Sequence, residues 1–172
     1  MDIERVLVTE DEIIGCVERL GKMITEDYAG MEITVICVLK GAAVFMSDLI
    51  RCIKVPLEID FVALSSYGSA MESSGVVTIR KDLDRDIKDK HVLIVEDIVD
   101  TGITLRFLKD ELMRRHPASV KICAMLDKPS RRRTELTIDY LGMVIDDHFV
   151  IGYGLDFNER GRELPYIAVV KT

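Results

Sequence analysis

Residues His91 to Leu105 read HVLIVEDIVDTGITL, and no other stretch of the chain narrows the possible folds as far. Val92-Leu93-Ile94-Val95 is a short, unbroken apolar run. A strand covered on one face alternates apolar with polar residues, so an unbroken run points to a strand buried on both faces of a parallel sheet. Glu96 and Asp97 sit where that strand is expected to end. Asp100-Thr101-Gly102-Ile103-Thr104 follows as a loop of small and hydroxylated residues, and Leu105-Arg106-Phe107-Leu108 begins a helical pattern. A strand, a Gly/Thr loop and a helix start together offer backbone N–H groups and a positive helix end to a phosphate. Carboxylates beside a phosphate repel it unless they grip something else on the same molecule, either a divalent cation or a pair of sugar hydroxyls. The segment therefore predicts a ribose phosphate bound together with Mg²⁺. No G-x-x-x-x-G-K-[ST] occurs in the chain, so this is not a P-loop.

The rest of the chain supplies the frame. Thr9-Glu10-Asp11-Glu12 has the form of a capping box, and Ile13, Val17, Leu20 and Ile24 recur at helical spacing, predicting a helix that ends near Tyr28-Ala29-Gly30. Ile33 to Leu39 (ITVICVL) has the buried-strand pattern, is broken at Lys40-Gly41, and gives way to a helix over Ala42 to Ile53. Leu57 to Leu64 reads as a strand nearer an edge, Ser65 to Gly75 as a polar loop, Val76 to Ile79 as a resumed strand and Val120 to Leu126 as another buried strand. Strands interleaved with helices predict an α/β fold, a parallel sheet flanked by helices on both faces. After Asp127 short strands over Thr137 to Tyr140, Phe149 to Ile151 and Ile167 to Val170 follow without helices. This tail, roughly residues 128–172, and the N-terminal segment are expected to form a small hood lobe over the carboxyl ends of the sheet. With 172 residues and no repeat or linker, one domain over 1–172 is expected.

Charge and cysteine usage bound the setting. A net charge of −7 lacks the field for non-specific nucleic-acid binding, and no nucleic-acid partner is expected. The local triplet Arg131-Arg132-Arg133 reads as a solvated turn or a subunit contact. Cys16, Cys37, Cys52 and Cys123 show no zinc-like spacing and lie among apolar neighbours, which predicts buried free thiols in a reducing cytosol. The start, MDIERVLVTEDE, lacks the apolar core of a signal peptide, and no run approaches the ~20 apolar residues of a membrane span. A soluble cytoplasmic protein with no membrane partner is expected.

In open α/β sheets ligands bind beyond the carboxyl ends of the strands. That rule gathers Lys40-Gly41, the loop after Leu64, Glu96 to Thr104, and Asp127-Lys128-Pro129. Lys40 and Gly41 suit a diphosphate, through positive charge and close backbone approach, and equally suit a plain helix-start turn. Ser66-Tyr67-Gly68 places two hydroxyls where a lid could close, or belongs to a disordered loop. Lys128 is fixed between a buried strand and Pro129, although a surface lysine is the default. Phe149 is an aromatic platform or core, and the pattern alone favours core. Asp156, after Gly152 and Gly154, completes a metal site or simply serves a turn.

At this point the residues resemble a known family. VEDIVDTG is similar to the phosphoribosyl diphosphate signature of the type I phosphoribosyltransferases. Leu39-Lys40-Gly41, Ser66-Tyr67-Gly68, Leu126-Asp127-Lys128-Pro129 and the run from Phe149 to Asp156 resemble the hypoxanthine-guanine branch, with Asn158-Glu159 and Arg162 to Tyr166 continuing the agreement. The resemblance implies a type I phosphoribosyltransferase fold and a reaction in which hypoxanthine or guanine displaces diphosphate from phosphoribosyl diphosphate, giving IMP or GMP. By resemblance Glu96, Asp97, Ile98, Val99, Asp100, Thr101, Gly102, Ile103 and Thr104 hold the 5′-phosphate and ribose, and Asp100 is the general base toward purine N7. Lys40, Gly41 and Arg162 contact diphosphate. Lys128, Phe149, Val150 and Asp156 form the purine site, and Ser66 and Tyr67 form the lid. Glu96, Asp97 and Asp156 are the implied ligands of Mg²⁺, and the Leu39–Lys40 peptide is often cis in the family. A homodimer or homotetramer is implied as well. Two rivals are a non-catalytic regulator on the same fold, sensing phosphoribosyl diphosphate or a nucleotide, and a receiver-like phosphoacceptor domain. The first would keep the phosphate cradle and shed the base pocket, whose residues are all present here.

Overall fold

The computed structural model describes residues 1–66 and 76–171. The first helix, α1 (Glu10–Asp27), starts where the capping box places it: the Thr9 side chain accepts from the Glu12 N–H, and the Glu12 carboxylate accepts from the Thr9 N–H at 2.8 Å. Its buried stripe of Ile13, Cys16, Val17, Leu20 and Ile24 faces the sheet. Before it runs β1 (Ile3–Val8), and after it β2 (Ile33–Leu39), α2 (Ala43–Cys52), β3 (Leu57–Ser66), β4 (Val77–Lys81), β5 (His91–Val99), α3 (Ile103–Met113) and β6 (Ser119–Asp127). The chain closes with β7 (Tyr140–Val144), β8 (Val150–Ile151) and β9 (Ile167–Val170).

The main sheet has the order β4-β3-β2-β5-β6-β7, parallel throughout except for the antiparallel edge strand β4. Successive residues of its central strands point to opposite layers, and both layers are apolar. Leu93 and Val95 of β5 join Leu20, Ile24 and Phe45 in a core beneath α1 and α2. Val92 and Ile94 meet Leu105, Leu108 and Leu112 of α3 on the other side. That arrangement is the physical origin of the unbroken apolar runs. Register pairs Leu39 with Ala63 and Val99 with Asp127, so Lys40, Asp100 and Lys128 all leave the sheet at its carboxyl edge. A smaller antiparallel sheet, β1-β9-β8, joins the two ends of the chain, pairing Val8 with Ile167 and Val150 with Val169.

Three boundaries differ from expectation. Glu96 and Asp97 do not end β5, which continues to Val99 because Glu96 and Ile98 still pair with Ala124 and Leu126. The helix α3 begins at Ile103, two positions before Leu105, so Ile103 and Thr104 belong to its first turn. The tail expected to lie wholly in the hood contributes β7 to the main sheet instead, parallel to β6 with Ala124 opposite Leu141, and the strand starts only at Tyr140. The cysteines are free, with Cys16, Cys37 and Cys123 buried and Cys52 partly so. Among the described residues no helix is long and apolar enough to cross a membrane.

Candidate active site

The helix α3 carries no side-chain cap and no acidic residue in its first turn. The amides of that turn have no intrahelical acceptor, and among the described residues only the Ile103 N–H finds one, the Thr101 hydroxyl at 3.3 Å. Gly102 precedes the helix with φ of 82°, in the left-handed region where a side chain would be strained. A Cβ there would also lie 2.9 Å from the Arg132 side chain. An uncapped, electropositive helix start behind a Gly/Thr turn is a ready seat for an anion.

Beside it, Glu96 and Asp97 are partly buried and next to each other, and among the described residues neither forms an ion pair. Glu96 accepts from the Asp97 N–H at 2.9 Å, and Asp97 from the Ile98 N–H at 2.6 Å. Burial, and then the neighbouring Asp97 charge, push the Glu96 carboxyl well above the ordinary carboxylate range. Burial pushes Asp97 up as well. Two adjacent, desolvated acids with no ion-pair partner among the described residues fit a hard cation or a sugar diol. Gly41 faces them across the sheet: a Cβ on Gly41 would fall 1.7 Å from Asp97 Oδ2. The residue is therefore set by Asp97, and the Leu39–Lys40 peptide ahead of it is cis, as the resemblance implies.

The remaining predicted residues fall into two groups. Lys40, Asp156 and Arg162 converge with Glu159: Lys40 Nζ lies 2.9 Å from Glu159 Oε2, and Arg162 reaches Asp156 at 3.2 Å and Glu159 at 3.3 Å. Arg162 also donates to the Gly154 carbonyl at 2.7 Å, and Asp156 accepts from the Glu159 N–H at 2.8 Å. The second group surrounds Lys128. Against the surface default, Lys128 is only 8% exposed, with Nζ 3.7 Å from Asp147 Oδ1. Phe149, against the core reading, is 44% exposed and meets Phe157 edge-on, with ring centroids 5.6 Å apart. Val150 is buried in the hood sheet. Among the described residues no three His, Cys, Asp or Glu side chains gather into a metal cage, so Glu96, Asp97 and Asp156 do not share one all-protein site. Tyr67 lies outside the described residues, and Ser66 closes β3.

Sequence reasoning missed the basic triplet and Phe157. Arg131, Arg132 and Arg133 do not form a free solvated turn; they hold the loop that follows β5. Arg131 Nε lies 2.8 Å from Asp100 Oδ1, Arg132 donates to the Asp100 carbonyl at 3.2 Å and pairs with Asp127, and the Arg133 N–H donates to the Thr101 carbonyl at 2.9 Å. The legible signal was position: the triplet follows β6, whose carboxyl end adjoins that of β5.

An uncapped helix start, a pair of acids beside it and a buried lysine just past the next strand stand together at one edge of the sheet, a set that suits an anion beside a cation or a diol. The chain belongs to the phosphoribosyl transferase family, whose domain model matches residues 7–158. It is 48% identical over 170 residues to the hypoxanthine-guanine phosphoribosyltransferase of Streptococcus pneumoniae, covering 99% of this chain and 94% of that protein. Similarity to the hypoxanthine phosphoribosyltransferase of Haemophilus influenzae reaches 48% over 168 residues, 96% of this chain and 94% of the relative. The crystal structure of a hypoxanthine-guanine phosphoribosyltransferase from Bacillus anthracis superposes with a TM-score of 0.95 at 46% identity, covering 99% of this chain and all of that one.

Proposed function

We propose that this protein is a purine-salvage enzyme that transfers the 5-phosphoribosyl group from phosphoribosyl diphosphate to hypoxanthine or guanine, releasing diphosphate and IMP or GMP. The observation that carries the reading is the carboxyl edge of the sheet, where an uncapped α3 start, the Glu96–Asp97 pair and the buried Lys128 come together at the ends of β5 and β6. In this reading the first-turn amides of α3, with Thr101 and Thr104, seat the 5′-phosphate, and Glu96 and Asp97 receive the ribose hydroxyls. Lys40, Gly41 and Arg162 take the diphosphate, after Glu159 yields the two cations. Lys128 offers only donors, so it bonds a 6-oxo group and cannot accept from the 6-amino group of adenine. Phe149 stacks on the purine while the Val150 backbone meets its edge. Asp100 accepts the N7 proton as N9 attacks C1 and the C1–O bond to diphosphate breaks.

The acids also fit Mg²⁺, with Glu96 and Asp97 on the ribose side and Asp156 on the diphosphate side, a sparse set typical of sites that substrate phosphates complete. Bound there, Mg²⁺ would offset the charge that builds on the departing diphosphate. The reading includes a homodimer or homotetramer, which sedimentation would establish. The direct test is to incubate the protein with phosphoribosyl diphosphate, Mg²⁺ and each purine base in turn. IMP and GMP are expected, and absence of both products overturns the assignment. Asp100→Ala is expected to lower kcat by about 10²-fold or more while phosphoribosyl diphosphate still binds; an unchanged kcat removes Asp100 from its role.

A further inference from the structure

We propose that Arg131, braced by Asp147, is a positioning residue for Asp100 and ties that general base to Lys128, the side chain that reads the purine 6-oxo group. The inference rests on the roles given to Asp100 and Lys128 above, and it assigns two residues that those roles leave unused.

The four side chains form one alternating line of charge. Lys128 Nζ lies 3.7 Å from Asp147 Oδ1, Asp147 Oδ2 lies 3.4 Å from a terminal nitrogen of Arg131, and Arg131 Nε lies 2.8 Å from Asp100 Oδ1. They come from three loops at the same sheet edge, those following β5, β6 and β7. The backbone that delivers Arg131 is held on both sides. A single 3₁₀ turn spans Pro129–Arg131, and the Arg131 N–H donates to the Lys128 carbonyl at 3.1 Å. On the β5 side, the Lys128 N–H donates to the Val99 carbonyl and the Arg133 N–H to the Thr101 carbonyl, each at 2.9 Å.

Asp100 needs such help. Its Oδ1 is shielded from solvent yet makes no hydrogen bond among the described residues, so the contact with Arg131 is charge attraction rather than a directional bond. A carboxylate in that condition is held near one place, but it can still turn toward a substrate. A general base must be aimed before it accepts a proton, and the guanidinium serves that need. Once the proton arrives the attraction fades and the neutral acid is released from the guanidinium. Arg132 cannot stand in, because its head group is committed to Asp127 and its Nε to the Asp100 carbonyl. At the other end of the line, a 6-oxo group arriving at Lys128 draws that ammonium away from Asp147 and leaves Asp147 to Arg131 alone. Recognition of the base and readiness of the proton acceptor thus share one set of charges.

The test is a double-mutant cycle on the full chain, measuring kcat and both KM values for hypoxanthine and phosphoribosyl diphosphate. Arg131→Ala is expected to lower kcat about tenfold with the KM for phosphoribosyl diphosphate changed less than about twofold. Arg131→Lys, which keeps the charge, should recover part of that loss. In an Asp100→Asn background Arg131→Ala should cost nothing beyond about twofold, because the group it positions is already gone. An equal tenfold loss in both backgrounds, a loss confined to KM, or no loss at all overturns the proposal. Asp100→Asn retaining wild-type kcat would instead remove the base assignment, and the Arg131 role with it, so the two failures read out separately. Arg131 is 46% exposed, and equal melting temperatures for wild type and Arg131→Ala are expected; where the alanine variant melts early, the lysine variant and the cycle decide.

Discussion

A lysine that is only 8% exposed has given up most of its hydration and must recover it from partners. Asp147 at 3.7 Å is too far for a strong hydrogen bond, which leaves the Lys128 ammonium with donors to spare. Lys128→Ala is therefore expected to reduce preference for hypoxanthine over adenine by about 10–100-fold, read as the ratio of kcat/KM values; an unmoved ratio defeats the assignment. Gly41 makes a sharper claim. Any side chain there meets Asp97 Oδ2 at 1.7 Å, so Gly41→Ala should cut kcat/KM for phosphoribosyl diphosphate by about tenfold or more while far-ultraviolet circular dichroism stays unchanged. Glu96 carries the opposite sign for stability. Its folded carboxyl holds its proton more tightly than in the unfolded chain, so stability is highest below the ordinary carboxylate range and falls as pH rises through the raised value. At neutral pH Glu96→Gln removes that cost, and its melting temperature should rise by roughly 2–4 °C as activity drops. A lower melting point at neutral pH would contradict the burial argument.

Among the elements, α3 links stability to binding. Leu105, Leu108 and Leu112 anchor it on β5 and β6, and its uncapped end is the proposed phosphate seat. Leu108 is fully buried, so Leu108→Ala should lower unfolding free energy by about 2–5 kcal/mol in urea titrations and loosen phosphoribosyl diphosphate binding with it. Elements such as β2, β5 and α1 were legible because local signals agree: apolar runs, a capping box, a glycine at a turn. The ends of β5 and α3 were misplaced for a tertiary reason. Ladder bonds from β6 carry β5 past its two acids, and Gly102 lets the chain turn into the helix before its apolar pattern begins. Side-chain environment was harder to read than element type. Lys128, Phe149 and the arginine triplet all sit in loops, where burial depends on what a distant segment lays over them.

Over the whole molecule, the division into sheet and hood was visible as a change of texture after Asp127, but β7 was not assignable from pattern alone. Tyr140-Leu141-Gly142-Met143-Val144 buries only Tyr140 fully and exposes Val144, so its pattern is not that of a core strand, and its place beside β6 is fixed by pairing across the sheet. The hood depends on β1, which holds β9, which in turn holds the strand that follows Phe149. Removing residues 1–8 is expected to raise the KM for hypoxanthine about tenfold with phosphoribosyl diphosphate affinity preserved, as binding titrations would show. A parallel loss of both affinities would mean that the two lobes do not act separately.

That dependence has a temporal side. During translation β2, β5 and β6 emerge and can associate well before Ile167–Val170 leave the ribosome, and domains assemble from the N-terminal side first. A chain cut short at Gly161 thus keeps the α3 start and the Glu96–Asp97 pair yet lacks Arg162 and β9, the strand that holds β8 after Phe149. Such a shortened protein is expected to form no IMP, which an assay with phosphoribosyl diphosphate and hypoxanthine would check.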